Sequence, residues 1–402
     1  MATLIERNDN MAVNSLSYEQ ISTVLNDLTE QVTGKKVLGN VDSQDFTSVA
    51  TTALSAGYDP LLNAISQMVG KTVFSVRPYT RKLRGIQVDN QKWGYITRKL
   101  AVADKDFEND ASFSMEDGNM YSPWYVNMPN VLQLNYYGQN VFEKSISIFK
   151  NQLDGAFTSR DQFGSFISMV MSNVMDQIEQ SRETAARMTL GNFICGKIEA
   201  QNGVVHLITE YNTDMAYSPS KTWADIKGDT AEYDKFIKWM YARIATLSSF
   251  MTERTDLYQI QVTGKPITRH TPVNRQKFYM ISDFLNAMKA RVLSGTYNED
   301  FLRYADVDEL NFWQSPHAPM SIYMSPAFLK ADGTIDTADA DSAYTNIVGV
   351  LFDEDALGLT VMDEWTMSTG MNAKYGYSTE YFHYIIRYWN DFTEKGIVLC
   401  LD

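Results

Sequence analysis

Apolar side chains recur at three- and four-residue spacing in several stretches of the chain, and each stretch predicts a helix. Leu16, Ile21, Val24, Leu25 and Leu28 sit on a Ser17-x-x-Gln20 capping pattern. A second helix fits 45–55. Asp59-Pro60 opens a third, with Leu61, Leu62, Ile65, Met68 and Val69 on its apolar face and Gly70 at its end. The longest pattern lies within 158–195. Phe163, Phe166, Ile167, Val170, Val174, Ile178, Ala185 and Met188 mark one face, Ser159-x-x-Gln162 can cap it, and Gly191 and Gly196 are expected to finish it. A rod of about 30 residues is roughly 45 Å long. Asp229-Thr230 opens another helix bearing Tyr233, Phe236, Ile237, Met240, Ile244 and Leu247, and Ser282/Asp283 caps one through Leu293.

Elsewhere the period changes. Leu132, Leu134 and Tyr136 alternate with Gln133 and Asn135, which predicts a half-buried strand. Strands are also expected at 73–76, 93–96, 258–262, 278–281 and 320–324. Ile347 to Phe352 reads as a buried strand with Leu357 to Met362 as its partner. Near the end, Tyr377, Tyr381, Phe382, Tyr384, Tyr388 and Trp389 precede Ile397, Val398 and Leu399. An end so rich in large apolar side chains must be packed, since each gains about 1.5–3 kcal/mol by leaving water. Helices and strands interleave without a regular βαβ rhythm, so the fold class is α+β. Residues 332–341 read as a polar surface insertion.

Charge divides the stretch 71–130. Its first half is basic, with Arg77, Arg81, Lys82, Arg84, Lys92, Arg98 and Lys99. Its second half is acidic, with Asp104, Asp106, Glu108, Asp110, Glu116 and Asp117. This reads as a two-stranded arm with too few apolar residues for a core of its own, and isolated ribbons are marginal in water. It must lie on something. The two halves would cancel against phosphate but complement a neighbouring copy, so these residues are candidates for contact between subunits.

The 402 residues are 44% apolar and 21% charged, enough for a sizeable core. The net charge of −14 argues against a dedicated nucleic-acid binder. The 20 methionines fit adaptable contact surfaces as well as a soft core. Cys195 and Cys400 make no disulfide framework and read as inert core thiols. The polar N-terminus has no signal-peptide pattern, and no apolar run reaches membrane-spanning length. The expected setting is a reducing cytoplasm.

Catalytic patterns are weak. His206, His270, His317 and His383 show no metal-ligand spacing. Gly70-Lys71-Thr72 resembles the end of a P-loop, but Ile65 stands where the first glycine belongs. Asp353-Glu354-Asp355 offers hard-metal ligands, though a solvated turn after a strand explains it better. No nucleophile elbow and no dinucleotide fingerprint occur. The alternative of a cytoplasmic enzyme therefore rests on Asp353, Asp355 and His383. Otherwise no catalytic residue, cofactor or metal is expected.

Three stretches carry a family resemblance: Val131-Leu132-Gln133-Leu134-Asn135 leading to Gln162-Phe163-Gly164-Ser165-Phe166-Ile167, then Gly349-Val350-Leu351-Phe352-Asp353-Glu354-Asp355-Ala356, then Arg387-Tyr388-Trp389-Asn390-Asp391-Phe392-Thr393-Glu394-Lys395-Gly396. With the order of elements they resemble the major capsid proteins of tailed bacteriophages, of the Hong Kong 97-type fold, above all the coat proteins of small short-tailed phages. The resemblance implies an N-terminal arm with helices at 1–70, an extended β-hairpin loop at 71–130, and a peripheral domain with a spine helix at 131–228. It further implies an axial domain at 229–365 and return strands of the peripheral domain at 366–402. It implies a non-enzymatic virion protein that assembles with itself as hexamers and pentamers in the host cytoplasm. A scaffolding protein and a portal would be its partners, and double-stranded DNA would fill the icosahedral shell without specific binding. No membrane is involved. Another phage part, a tail or connector subunit, is the remaining structural alternative.

Overall fold

The computed structural model describes residues 82–88, 97–105, 124, 128–137, 140–156, 160–292, 307–338 and 342–402. The helices expected at 16–28, 45–55 and 59–69, and the strands at 73–76 and 93–96, lie outside them.

Strands β1 (Thr97–Val102) and β2 (Val131–Tyr136) pair antiparallel as a ribbon. Strand β3 (Asn140–Phe149) follows, then α1 (Lys150–Ala156) and α2 (Arg160–Glu199). At 40 residues, α2 is roughly 60 Å long, longer than the sequence pattern indicates. Gly191 and Gly196 do not end it. They sit inside it because their backbones are closely approached: a Cβ on Gly196 would meet the Phe392 ring at 2.6 Å, and one on Gly191 would meet Met324 Cε at 3.2 Å. Close packing, not capping, requires glycine at 196, and at 191 it leaves room for the Met324 side chain.

After β4 (Val204–His206) come α3 (Leu207–Asp214), α4 (Trp223–Gly228) and α5 (Thr230–Thr252). Asp229 caps α5 by accepting from Ala231 N at 2.9 Å. Strand β5 (Gln276–Ile281), α6 (Ser282–Val292) and β6 (Val307–Leu310) follow. The last strands are β7 (Ile347–Asp353), β8 (Leu357–Ser368), β9 (Tyr377–Asn390) and β10 (Gly396–Cys400). The segment 258–262 is not a strand. Tyr258 has φ +67°, and Gln261 replaces a ladder by accepting from Ile267 N at 3.0 Å through its side chain.

The described residues cluster into two units. The larger draws on Lys82–Gln139, Glu183–Thr360 and Arg387–Asp402, and the smaller on Asn140–Arg182 and Val361–Ile386. The larger unit is built on a five-stranded sheet in the order β4-β10-β7-β5-β6. Every residue of β7 and β10 is buried, which fits their unbroken apolar runs. The chain end is thus a packed interior strand. Leu357 to Met362 does not pair with β7, because β5 and β10 already occupy both its edges. Instead β8 joins β9 and β3 in a three-stranded sheet.

That sheet belongs largely to the smaller unit. One face packs on α2: Phe142 stacks on Tyr384 at 5.2 Å, and the Arg182 guanidinium lies over the Tyr384 ring at 5.5 Å. Arg182 is buried and held by Glu179 at 2.9 Å and by Glu364. Val174 and Ile178 are buried on α2 as the pattern requires, and Phe166 is half-buried. The helix passes through Phe163, Ile167 and Val170, whose side chains are outside the described set.

Candidate assembly surface

Register decides what each ribbon residue can do. Side chains alternate across a strand, and Lys99 stands opposite Leu134, Leu100 opposite Gln133, and Val102 opposite Val131. Thr97, Lys99, Ala101, Leu132, Leu134 and Tyr136 therefore share one face, the more buried one. Arg98, Leu100, Val102, Val131, Gln133 and Asn135 share the other.

The inward face is fixed by charge. Lys99 Nζ lies 2.7 Å from both Asp391 and Glu394, and it donates to the Asp355 carbonyl at 3.2 Å. Arg269 reaches Glu394 at 2.6 Å. Burial pulls the Lys99 ammonium down in pKa, but Asp391 and Glu394 pull it further up, so the net shift is upward. Glu394 is also raised, because it is itself buried beside a second carboxylate.

The next residues latch onto the loop 254–269. Asp104 accepts from Thr268 Oγ1 at 2.6 Å and pairs with Arg254 at 2.7 Å, while its backbone N donates to Pro266 at 2.7 Å. The Thr268 hydrogen bonds, helped by Arg254, hold the Asp104 carboxyl below its ordinary range. Asn130 donates to the Gly264 carbonyl at 2.7 Å and Lys265 to the Val131 carbonyl at 2.8 Å. A cavity of about 360 Å³ beside this latch is lined by Arg254, Arg269 and Arg275. Each of these arginines already faces a carboxylate, so the cavity holds no spare positive charge for an anion.

The outward face is open. Leu100 is 62% exposed, Val102 59%, and Met128, just before β2, 82%. Arg98 is exposed on the same face.

A second open face lies on the three-stranded sheet, opposite the side on α2. Val141, Glu143 and Phe149 are exposed along β3, and His383 stands opposite Glu143 in register. His383 stacks on Trp365 at 5.2 Å and on Tyr381 at 6.2 Å. Asp363 and Met367, two residues either side of Trp365, are exposed.

The expected contact residues thus separate. Arg98 faces out. Lys99 and Asp104 are engaged within the chain. Lys82 donates to Asn311 at 3.5 Å, and Arg84 lies in a 3-10 turn. Arg77, Arg81, Lys92, Asp106, Glu108, Asp110, Glu116 and Asp117 lie outside the described residues. The residues considered for catalysis are also placed. Asp353 accepts from Thr271 at 2.8 Å, and Arg275 pairs with Asp353, Glu354 and Asp355. His383 belongs to an aromatic stack. Among the described residues no group of three or more His, Cys, Asp or Glu could hold a metal ion. Cys195 and Cys400 are buried, and burial raises both thiols. Among the described residues no helix is long and apolar enough to cross a membrane.

Sequence reasoning missed Asp391, Glu394 and Arg269 as ribbon anchors. The available signal was a charged run, Asp391 to Lys395, between apolar strands in a packed chain end.

Comparison with known proteins agrees with this architecture. No curated protein matches the chain. Among solved structures, the capsid structure of Staphylococcus phage Andhra aligns at 10% identity with a TM-score of 0.53, covering 82% of this chain and 86% of the other. A chain from the structure of head fiber and inner core protein gp22 of native bacteriophage P68 aligns at 11% identity with a TM-score of 0.50, covering 79% and 83%. These likenesses establish a shared fold. The model of the Phi29-like phage major capsid protein family matches residues 21–392. With that match across nearly its whole length, the chain belongs to the Phi29-like phage major capsid protein family, and its place is the virion capsid.

Proposed function

We propose that copies of this chain associate as hexamers and pentamers and close into an icosahedral shell around packaged double-stranded DNA. Assembly would take place in the host cytoplasm with a scaffolding protein and a portal, and the subunits would be arranged as in the Hong Kong 97-type fold. In this reading α2 is the spine, 71–130 the extended loop, and the sheet of β3, β8 and β9 part of the peripheral domain. The observation that supports it most is the ribbon. One face is bound into its own chain by Lys99 and Asp104, while the other presents Leu100 and Val102 to solvent. A protein that worked alone would have no use for a rigidly rooted ribbon with an open apolar face. The subunit-contact role is kept for Arg98 and for the remaining arm charges, basic and acidic. The net charge of −14 keeps the shell wall from gripping DNA. Repeated head-to-tail contacts that close on themselves need only modest strength each.

Negative-stain microscopy of the expressed protein tests this reading. Shells, or rings with sixfold and fivefold symmetry, are expected; a compact small oligomer that forms neither would overturn it. Reversing Arg81, Lys82 and Arg84 to Glu should leave a folded monomer and block shells. Normal shells from that triple variant would remove the arm's basic run from the assembly contact.

A further inference from the structure

A buried acid in the smaller unit stands unbalanced among the described residues. Glu380 lies on β9 and is 1% exposed, and neither of its carboxylate oxygens has a hydrogen-bond partner there. Side chains alternate along a strand, so Glu380 shares the inner face of the three-stranded sheet with Phe382 and Tyr384, all three of them buried. Ile146 of β3 stands opposite Glu380 in register, and Ile148, next on that face, is buried. Val174, Met175 and Ile178 of α2 are buried in the same unit. The charged groups of the surrounding elements do not answer the acid. Lys144 of β3 lies on the inner face opposite Phe382, but burial is the sole cause of the shift at Glu380. Glu364 of β8 and Glu179 of α2 both hold Arg182. Asp176 of α2 and Lys150 and Asp154 of α1 are exposed. Glu143, Asp363 and His383 belong to the outer face.

Burying an ionised carboxylate without a partner is costly, and the neutral acid costs far less. Burial therefore keeps the proton on Glu380, raising its pKa from an ordinary 4.5 to about 7. The sheet that bears this load has three strands, and sheets so small depend on what they pack against. Proteins open locally where their cooperative units are weakest. The larger unit is better secured, with five strands of which β7 and β10 are wholly buried.

We propose that Glu380 is a proton-operated latch: while protonated it lets the β3-β8-β9 sheet stay packed on α2, and once ionised it drives that packing to open locally while the five-stranded sheet of the larger unit stays folded. The packing is firmest below about pH 4.5, loosens as pH rises, and is loosest above about pH 7. The latch is a property of a single chain and does not depend on the shell reading.

Hydrogen exchange of the unassembled full-length protein tests it, read by mass spectrometry at pH 5 and pH 8.5 and corrected for the intrinsic pH dependence of exchange. A shift from 4.5 to about 7 changes the opening equilibrium by up to roughly 300-fold between the two limits. Amides of 140–149 and 377–386 should lose protection on that scale at the higher pH, while those of 347–353 and 396–400 keep theirs. Glu380→Gln should abolish most of the loss. Glu380→Met, which leaves no side-chain amide to satisfy, is the second variant and should do the same. A reading that needs no variant is the titration of the Glu380 carboxyl by ¹³C NMR, with a midpoint near 7 expected. An ordinary midpoint near 4.5 overturns the latch. So does a loss of protection that is equal in the wild type and both variants, or one that reaches β7 and β10 to the same extent.

Discussion

The root of the ribbon and the three-stranded sheet treat buried charge in opposite ways. At the root, Lys99 enters the larger unit and meets Asp391 and Glu394 at 2.7 Å, with Arg269 balancing Glu394 from another side. In the smaller unit, Glu380 on β9 is only 1% exposed, and neither of its carboxylate oxygens has a hydrogen-bond partner among the described residues. Burial alone pushes its pKa up, from an ordinary 4.5 to about 7. The charges at the root are therefore paired within one chain, with Arg269 Nε left unbonded among the described residues. The sheet carries a buried acid with no hydrogen-bond partner among the described residues on its inner side and a half-buried aromatic stack on its outer side.

The largest expected effect comes from breaking the paired region. Lys99→Met removes the cation and leaves Asp391 and Glu394 buried beside each other. Removing one partner of a buried pair costs about 3–5 kcal/mol, and denaturant unfolding of the monomer should show a loss of that size. Because the Lys99 pKa is raised, its contribution is fully present below the ordinary lysine value of 10.5 and disappears as pH climbs past the raised one. The wild type should therefore lose stability in strong alkali that the Lys99→Met variant has already lost. An unchanged midpoint at neutral pH would mean that the root is not held by this cluster.

Relieving the unpaired region should have the opposite sign. Glu380 binds its proton more tightly folded than unfolded, so its contribution to stability is best below about pH 4.5. It falls as pH rises and is fully unfavourable above about 7. The shift corresponds to a burden on the order of 3 kcal/mol at mildly alkaline pH. Glu380→Met, which removes the charge while filling similar space, should raise stability by that order at pH 8 and far less at pH 5. Equal effects at the two pH values would show that packing, not ionisation, distinguishes the variants.

The contrast also marks what the sequence could reveal. Period-two and helical spacing found β2, α5, α6, β5 and β7, because those elements follow local patterns that burial reinforces. The packed chain end was readable from Ile397, Val398 and Leu399 alone. The length of α2 was not, since Gly191 and Gly196 signal a stop unless Met324 and Phe392 are known to press against them. The pairing of β7 was missed because strand partners are chosen by tertiary contact, and an acidic turn such as 353–356 resembles a hairpin. For the surface, the split charge of 71–130 pointed to the arm. It could not say that Lys99 turns inward while Arg98 turns outward, because a shift of one residue in register exchanges the two faces. Glu380 was invisible, being one acid in an aromatic strand whose burial depends on the sheet's packing against α2.

The smallest effect is expected where the outer face of the sheet is substituted. Met367 is 59% exposed, so Met367→Ser removes little area from a buried environment. Surface changes of this kind stay within about 0.5 kcal/mol. Phe382→Ala, on the inner face of the same sheet and fully buried, should cost about 3–5 kcal/mol. The pair reads the sheet's two sides with one measurement, the denaturant midpoint of the unassembled protein. A near-silent Met367→Ser beside a severe Phe382→Ala means that the exposed part of the outer face contributes little to the fold of a single chain. If Met367→Ser were as damaging as Phe382→Ala, the outer face would already be part of the monomer's own core.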